Sequence, residues 1–313
     1  MRVYRDIWAQ QFSPRSTVVT IGNFDGVHRG HQSLFALVRR TANEHGVKAV
    51  AVTFEPHPLK LFFPERRLFL ITPLAKKIRL IAACGLDALV CVPFTREFAD
   101  FPAAEFARRV LVRHLGVHTV IVGQNYRFGR DREGDIEILR RFGAELGFST
   151  VVAPTFLVDG QIVSSTRVRQ HIMAGEVRAA ARLLGRYYTI EGVVGPGKNR
   201  GKKLGFPTAN LRSEVELYPR EGVYAVWVEH RGRRWQGVLS IGYNPTFGDT
   251  GLTVEVHLLD FDDDLYGETL KLFFLQYLRP PKAFAGVEAL KAQIEHDIAE
   301  AQSIFRLAKA QPL

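Results

Sequence analysis

The 313 residues are long for one core, and with 46% of them hydrophobic the chain can bury two, so two domains are expected and a disordered chain is excluded. The 42 Lys and Arg against 32 Asp and Glu leave a net charge of +10, which favours polyanions such as nucleic acid, acidic membrane surfaces or phosphorylated small molecules without choosing among them. The basic residues fall in scattered pairs, Arg39-Arg40, Lys76-Lys77 and Arg140-Arg141, with no basic tail, and read as a solvated surface.

Cys84 and Cys91 sit in apolar stretches without CxxC spacing, which argues against a disulfide framework or a zinc site and fits a reducing cytoplasm. Arg2, Arg5 and Asp6 lead into no apolar run, and no later stretch could cross a bilayer, so the expectation is a cytoplasmic protein without a membrane partner.

In chain order, Thr17 to Ile21, Val47 to Phe54, Ala88 to Val92 and Thr119 to Val122 read as buried strands. Between and after them, His31 to Ala42, Leu74 to Ala83, Ala103 to Leu115 and Ile136 to Leu146 have helical apolar spacing. This alternation predicts a parallel sheet wrapped by helices. From about Tyr188 the texture changes to strands separated by Gly, Pro and Asn: Tyr188 to Val194, Gly222 to His230, Trp235 to Ile241, Leu252 to Leu259 and Leu270 to Leu278. With a hairpin signal at 230–233, these predict a small antiparallel barrel. From Phe284 to about Leu307, a stripe of Val287, Leu290, Ile294, Ile298, Ala301 and Phe305 predicts an amphipathic helix packed on the barrel. The domain boundary is expected near Gly185 to Tyr188, giving domains 1–185 and 186–313.

The stretch GNFDGVHRGH, Gly22 to His31, follows the first strand and opens the first helix, which places it at the carboxyl ends of the parallel strands where ligands bind. Gly26 and Gly30 allow close backbone approach, the helix N-terminus offers N–H groups to phosphate, and His28 and His31 project to one side. Adenylyl transfer needs in-line positioning and compensation of charge on the α-phosphate and the departing pyrophosphate, which imidazole donors can supply. Ser164, Ser165 and Thr166 precede a helical stretch they can cap, and Arg169 can point back toward the same anion.

The HRGH of this stretch resembles the HxGH signature of the nucleotidyltransferase superfamily, in the form found in the adenylyltransferase module of prokaryotic riboflavin kinase/FAD synthetases. ThrPheGluProHisPro at 53–58, GlyGlnAsnTyrArgPheGly at 123–129 and SerSerThrArgValArg at 164–169 are similar to that family as well. The resemblance implies a Rossmann-like α/β nucleotidyltransferase domain with a parallel sheet. It implies ATP contacts at Gly22, Asn23, Phe24, Gly30, Asn125, Ser164, Ser165 and Thr166, catalytic roles for His28, His31 and Arg169, and a flavin side formed by Phe54, His57, Pro58, Phe62 and Phe128.

GlyLysAsnArgGlyLysLys at 197–203 looks superficially like a Walker A loop, but its glycines are one residue too close and Lys203 stands where Ser or Thr would hold the metal, so a P-loop NTPase is rejected. The following LeuGlyPheProThrAlaAsnLeu at 204–211 contains PTAN, which resembles the hallmark of the riboflavin kinase module. Thr208 and Asn210 are hard oxygen ligands suited to a Mg²⁺ that also touches ATP phosphates. Strand alternation sets Val254, Val256 and Leu258 on one face and Thr253, Glu255 and His257 on the other, leaving the Glu255 carboxylate free of the apolar side. The resemblance makes Glu255 the base that accepts the proton of the riboflavin 5′-hydroxyl, extends ATP contacts to Gly201 and Gly205, and places Arg279 at the flavin rim. Segments 222–226, 244–248, 265–268 and 278–284 are also similar to the family. Tyr187 stands where a proline is common and Lys202 where arginine is common, which bears on inter-domain geometry and ATP affinity respectively.

The resemblance therefore implies an α/β nucleotidyltransferase domain followed by an antiparallel β-barrel riboflavin kinase domain with a C-terminal helix. The implied enzyme phosphorylates riboflavin to FMN and adenylylates FMN to FAD, with ATP as co-substrate and Mg²⁺ as cofactor. Partners are small molecules, not nucleic acid, and a homo-oligomer is left open. Two alternatives stand beside it: one active module or another phosphorylated acceptor, since HxGH specifies nucleotidyl transfer better than flavin, and a non-enzymatic flavin or nucleic-acid binder, which the charge permits but no clustered basic helix supports.

Overall fold

Apolar strands alternating with helical stretches build a six-stranded sheet in the first half of the chain. The computed structural model describes residues 1–8, 11–197, 204–243 and 251–310. It divides into two units, Met1–Ser165 and Thr166–Leu313.

The first unit runs β1 (Arg2–Tyr4), β2 (Thr17–Ile21), α1 (Arg29–Glu44), β3 (Lys48–Glu55), α2 (Pro58–Phe62), α3 (Leu74–Ala82), β4 (Ala88–Pro93), α4 (Arg96–Ala99) and α5 (Ala103–Glu105). It continues through a π-helical segment (Phe106–His114), β5 (Val117–Val122), α6 (Ile136–Leu146), β6 (Ser149–Val152) and the hairpin β7 (Leu157–Val158) and β8 (Gln161–Ile162). The sheet order is β1-β4-β3-β2-β5-β6, and every pairing is parallel. Both faces are covered, as an all-parallel sheet requires. Val18, Ala49, Ala51 and Leu89 pack beneath Phe35, Val38 and Ile81, while Val19, Val50, Val52 and Val120 pack beneath Phe106, Leu111, Leu139 and Phe142. The chain runs from β2 outward through β3 and β4, then returns to lay β5 on the other side of β2. The β2/β5 junction is the topological switch point, where open α/β sheets bind ligands.

The second unit contains α7 (Ser165–Met173), whose first residue closes the first unit, and α8 (Val177–Leu184), β9 (Tyr188–Gly195), β10 (Ala209–Arg212), β11 (Gly222–His230), β12 (Arg233–Tyr243), β13 (Leu252–Leu258), β14 (Thr269–Arg279) and α9 (Val287–Ala310). The six strands close into an antiparallel barrel in the order β10-β13-β12-β11-β14-β9. A two-residue turn, Arg231-Gly232, joins β11 to β12. Val226, Leu239, Val256, Leu272 and Ile190 are buried inward. On the outside, Ala301 and Phe305 of α9 pack against Ala225 and Leu275. Helix α8 packs on β14 and β9 of the barrel.

Several expectations need correction. The helix expected over 103–115 is α-helical only at its start and then widens, with the Leu115 N–H donating to the Val110 carbonyl five residues back. The edge strands β1 and β6, the β7–β8 hairpin and the short β10 were not anticipated, being brief and lacking long apolar runs. Val287 is 54% exposed and off the buried stripe, while Asp297, absent from the expected stripe, is buried at 2%. Arg39, Arg40, Arg140 and Arg141 are exposed as expected, but Lys77 is 1% exposed, because on α3 it falls in register with Leu74 and Ile81.

Candidate functional site

In the first unit all five residues of β2 are buried, so the chain leaves the sheet at Gly22 with no freedom in direction. The turn that follows is strained: Phe24 and Val27 adopt φ +48° and +42°, a left-handed region that costs L-residues on the order of 1–3 kcal/mol each and persists only where surroundings impose it. Asp25, 1% exposed, imposes it. Its carboxylate accepts the N–H of Ile71 at 3.0 Å and of Thr72 at 3.1 Å, and the Thr72 hydroxyl at 3.3 Å. The Thr72 oxygen in turn accepts the Gly26 N–H at 3.1 Å. The Asn23 carbonyl accepts from Thr53 Oγ1 at 3.2 Å.

Held this way, His28 becomes the N-cap of α1, three residues before the predicted helix start, and its Nδ1 accepts the His31 N–H at 3.3 Å. With Nδ1 accepting, the ring proton sits on Nε2, where it serves as a donor. The His28 and His31 rings stack at 3.6 Å between centroids and 17° between planes, and Phe24 stands edge-on to His31. A methyl group at Gly30 would come within 3.2 Å of the His28 ring, so any side chain between the histidines would press the ring out of its place by a few tenths of an ångström. The expected residues Gly22, Asn23, Phe24, Gly30, His28 and His31 are thus one constellation at a helix N-terminus on the switch point.

Ser165 is the first residue of α7, and its hydroxyl donates to the Asp25 carbonyl at 2.8 Å, tying the start of this helix to the same loop. Ser164 precedes it, and Thr166 and Arg169 follow on α7, with Arg169 one turn beyond Ser165.

At the ends of β3 and β4, Phe54 contacts Phe94 at 5.2 Å and Phe94 contacts Phe62 at 5.9 Å. His57 caps α2 through the Leu59 N–H, and Pro58 is the first residue of that helix. Phe54, His57, Pro58 and Phe62 therefore lie along one apolar edge, with Phe62 47% exposed. Asn125 lines a shallow depression of about 380 Å³ with Gln124, Arg127, Arg132 and Asp135, on the loop after β5. Phe128 is placed differently: it is 6% exposed and packs on Phe106 at 5.5 Å and on Tyr126, within the core.

In the barrel, Asn210 of β10 pairs directly with Glu255 of β13, so both side chains leave the same face. The opposite face carries Val254, Val256 and Leu258, all buried, as the alternation predicts. Thr208 is exposed, just before β10, and lines with Asn210 a cleft of about 510 Å³ that also takes in Asp262, Asp263 and Tyr266. The His257 ring, with Nδ1 2.7 Å from the Pro207 carbonyl, donates to it and stands edge-on to Phe206, anchoring the approach to Thr208. Gly205 lies in that approach, and any side chain at Gly197 would collide with the Asn210 amide. Gly201, Lys202 and the segment 244–248 lie outside the described residues. Arg279 makes a fork with Asp297 of α9, its Nε and Nη2 donating at 2.9 and 2.8 Å.

Sequence reasoning missed Asp25, Thr72 and Phe94. Asp25 stood inside the quoted signature; nothing marked Thr72 or Phe94.

Residues 10–167 match the family model for FAD synthetase, and residues 184–305 match that for riboflavin kinase. A Pseudomonas fluorescens protein named bifunctional riboflavin kinase/FMN adenylyltransferase is 42% identical over 305 residues, covering 97% of this chain and 98% of its own. The Escherichia coli K12 protein of the same name is 39% identical over 311 residues, covering 99% of each. A solved Streptococcus pneumoniae chain described as a macrolide-efflux protein is 29% identical and superposes with a TM-score of 0.87 over 96% of this chain and 98% of that one. Among the described residues no helix is long and apolar enough to cross a membrane. Two consecutive family models and full-length relatives above 30% identity agree with the two constellations, and the chain belongs to the bifunctional riboflavin kinase/FMN adenylyltransferase family.

Proposed function

We propose that this chain phosphorylates riboflavin to FMN at Glu255 and adenylylates FMN to FAD at His28 and His31, with ATP as the donor in both reactions. The observation that carries the reading is that His28 and His31 lie in one folded unit and Thr208, Asn210 and Glu255 in the other, while each set falls within its own family match. The functional modules are taken as residues 1–185 and 186–313. The chain acts on small molecules in the cytoplasm, and its positive charge suits phosphorylated substrates.

In the kinase reaction Glu255 takes the proton of the riboflavin 5′-hydroxyl as that oxygen attacks the γ-phosphorus of ATP, and ADP leaves. The Thr208 hydroxyl and the Asn210 amide oxygen would hold Mg²⁺, and both are neutral hard-oxygen donors on one exposed surface, which fits an ion that keeps waters and phosphate oxygens as further ligands. Bound there, the ion would neutralise charge on the phosphates. Gly201 and Gly205 let the loop backbone approach ATP. Arg279 borders the riboflavin side.

In the transferase reaction an FMN phosphate oxygen attacks the α-phosphorus of ATP and pyrophosphate departs. His28, through its protonated Nε2, and His31 donate to the α-phosphate as charge builds on it, aided by the α1 N-terminus. Gly22, Asn23, Phe24, Gly30 and Asn125 contact ATP, while Ser164, Ser165, Thr166 and Arg169 hold the departing phosphates. The edge formed by Phe54, His57, Pro58 and Phe62 receives the isoalloxazine, with Phe128 supporting it from the core.

The test is to supply the protein with riboflavin, ATP and Mg²⁺ and separate the flavins over time. FMN should rise first and FAD follow at its expense; unchanged riboflavin, or FMN that never converts, would refute the reading.

A further inference from the structure

The connection from β13 to β14, residues 259–268, carries Asp260, Asp262, Asp263 and Asp264, a row of like charges with little apolar surface to bury. A segment of this kind extends and samples many shapes unless its ends are tied down. Its residues Phe261 to Tyr266 line the cleft of about 510 Å³ that Thr208 and Asn210 also line, so the shape of this loop sets the shape of the cleft.

Backbone hydrogen bonds fix the two stems. The Leu259 N–H donates to the Gln236 carbonyl at 2.8 Å, the Gly267 N–H to the Val194 carbonyl at 3.0 Å, and the Val194 N–H to the Glu268 carbonyl at 2.9 Å. The side-chain ties converge on the β11–β12 turn. His230, the last residue of β11 and 9% exposed, stands edge-on to Phe261 at 6.0 Å, and its Nε2 lies 3.1 Å from the Glu268 carboxylate. An ionised carboxylate only accepts, so Nε2–H is the donor. One imidazole therefore touches both stems of the loop. Arg231 donates from Nε to the same Glu268 oxygen at 3.2 Å, and Trp235 meets Phe261 edge-on at 5.0 Å. The Arg231 side chain is 73% exposed, where an ion pair competes with water and salt, whereas the His230 side chain is only 10% exposed, so the imidazole is the stronger tie.

We infer that His230 is a positioning residue for riboflavin phosphorylation: through Glu268 and Phe261 it clasps the neck of the 259–268 loop and holds the Phe261–Tyr266 wall of the cleft in the shape that receives ATP. The inference rests on the reading that Thr208 and Asn210 hold the phosphates of ATP, which makes ATP the occupant of the cleft they line. His230 acts only through the loop.

A pre-formed wall binds ground state and transition state alike, so its loss raises KM and leaves kcat in place, a split that a general loss of folded barrel would not produce. In the full-length protein, His230→Phe keeps a ring for Phe261 and removes the donor to Glu268. For FMN formation it should raise the KM for ATP by about tenfold, as a clasped fraction reduced to about a tenth requires. The kcat and the KM for riboflavin should stay within about twofold. Glu268→Ala breaks the same hydrogen bond from its more exposed side and should raise the KM for ATP at least as far, so either variant alone is a test. His230→Gln, whose side-chain amide can donate to Glu268, should return the KM for ATP to within about threefold of the unaltered protein. FAD formation from supplied FMN should be unchanged in all three. The inference is overturned if either folded variant, His230→Phe or Glu268→Ala, leaves the KM for ATP within about twofold, if the KM for riboflavin rises with it, if His230→Gln is no better than His230→Phe, or if FAD formation from supplied FMN falls as well. An unaltered protein that makes no FMN would instead overturn the assignment of the cleft itself.

Discussion

Asn210 and Glu255 stand opposite one another across the β10–β13 ladder, an amide oxygen and a carboxylate presented on one face of the barrel. Replacing Asn210 by Ala removes one of two expected oxygen donors and leaves the base in place. The Mg²⁺ concentration needed for half-maximal FMN formation should rise by about tenfold or more. FAD formation from supplied FMN should not change. Chelating the metal should stop FMN formation and adding it back should restore it, as a Mg²⁺ titration of initial rates will show.

Arg279, proposed for the flavin rim, also has a structural occupation. Its fork with Asp297, whose side chain is 3% exposed, joins the end of β14 to α9. Arg279→Met strands a buried carboxylate, and urea unfolding should report a loss of about 3 kcal/mol. That loss should exceed any change in KM for riboflavin expressed as free energy.

Asp135 caps α6 by accepting the Ile138 N–H at 3.0 Å, and it pairs with Arg127. The Ile138 hydrogen bond, more than Arg127, holds its carboxyl below the ordinary 3.8. A carboxyl lowered in the folded state stabilises the fold above its unfolded value, and the contribution is lost as pH falls through the folded one. Asp135→Asn should therefore melt below the unaltered protein at neutral pH, and the gap in Tm should narrow as the pH falls below the ordinary carboxyl value and through the lowered folded one.

Legibility in the sequence followed the strength of local signals. Gly222–His230 and Ile136–Leu146 could be read to the residue, because a continuous apolar run and helical spacing end at turn formers. The edge strands β1 and β6 are three and four residues long and gain their structure from neighbours, so periodicity had nothing to work on. At the site, His28, His31, Asn210 and Glu255 sit in contiguous motifs. Asp25 and Thr72 are joined across 47 residues of chain, and only folding brings them together. Phe128 was drawn from its motif, but the bridge between its backbone and Gly134 turns its ring inward.

The measurement that bears most directly on two separate sites is a complementation assay with His28→Ala and Glu255→Gln, each made in the full chain. With riboflavin, ATP and Mg²⁺, His28→Ala should accumulate FMN at the normal rate while FAD formation falls by about 10²–10³. Glu255→Gln should leave riboflavin largely untouched, yet convert supplied FMN to FAD normally. Mixing the two variants should then restore FAD synthesis from riboflavin through free FMN. If either substitution abolishes both activities, or the mixture makes no FAD, the two reactions do not occupy the two sites described.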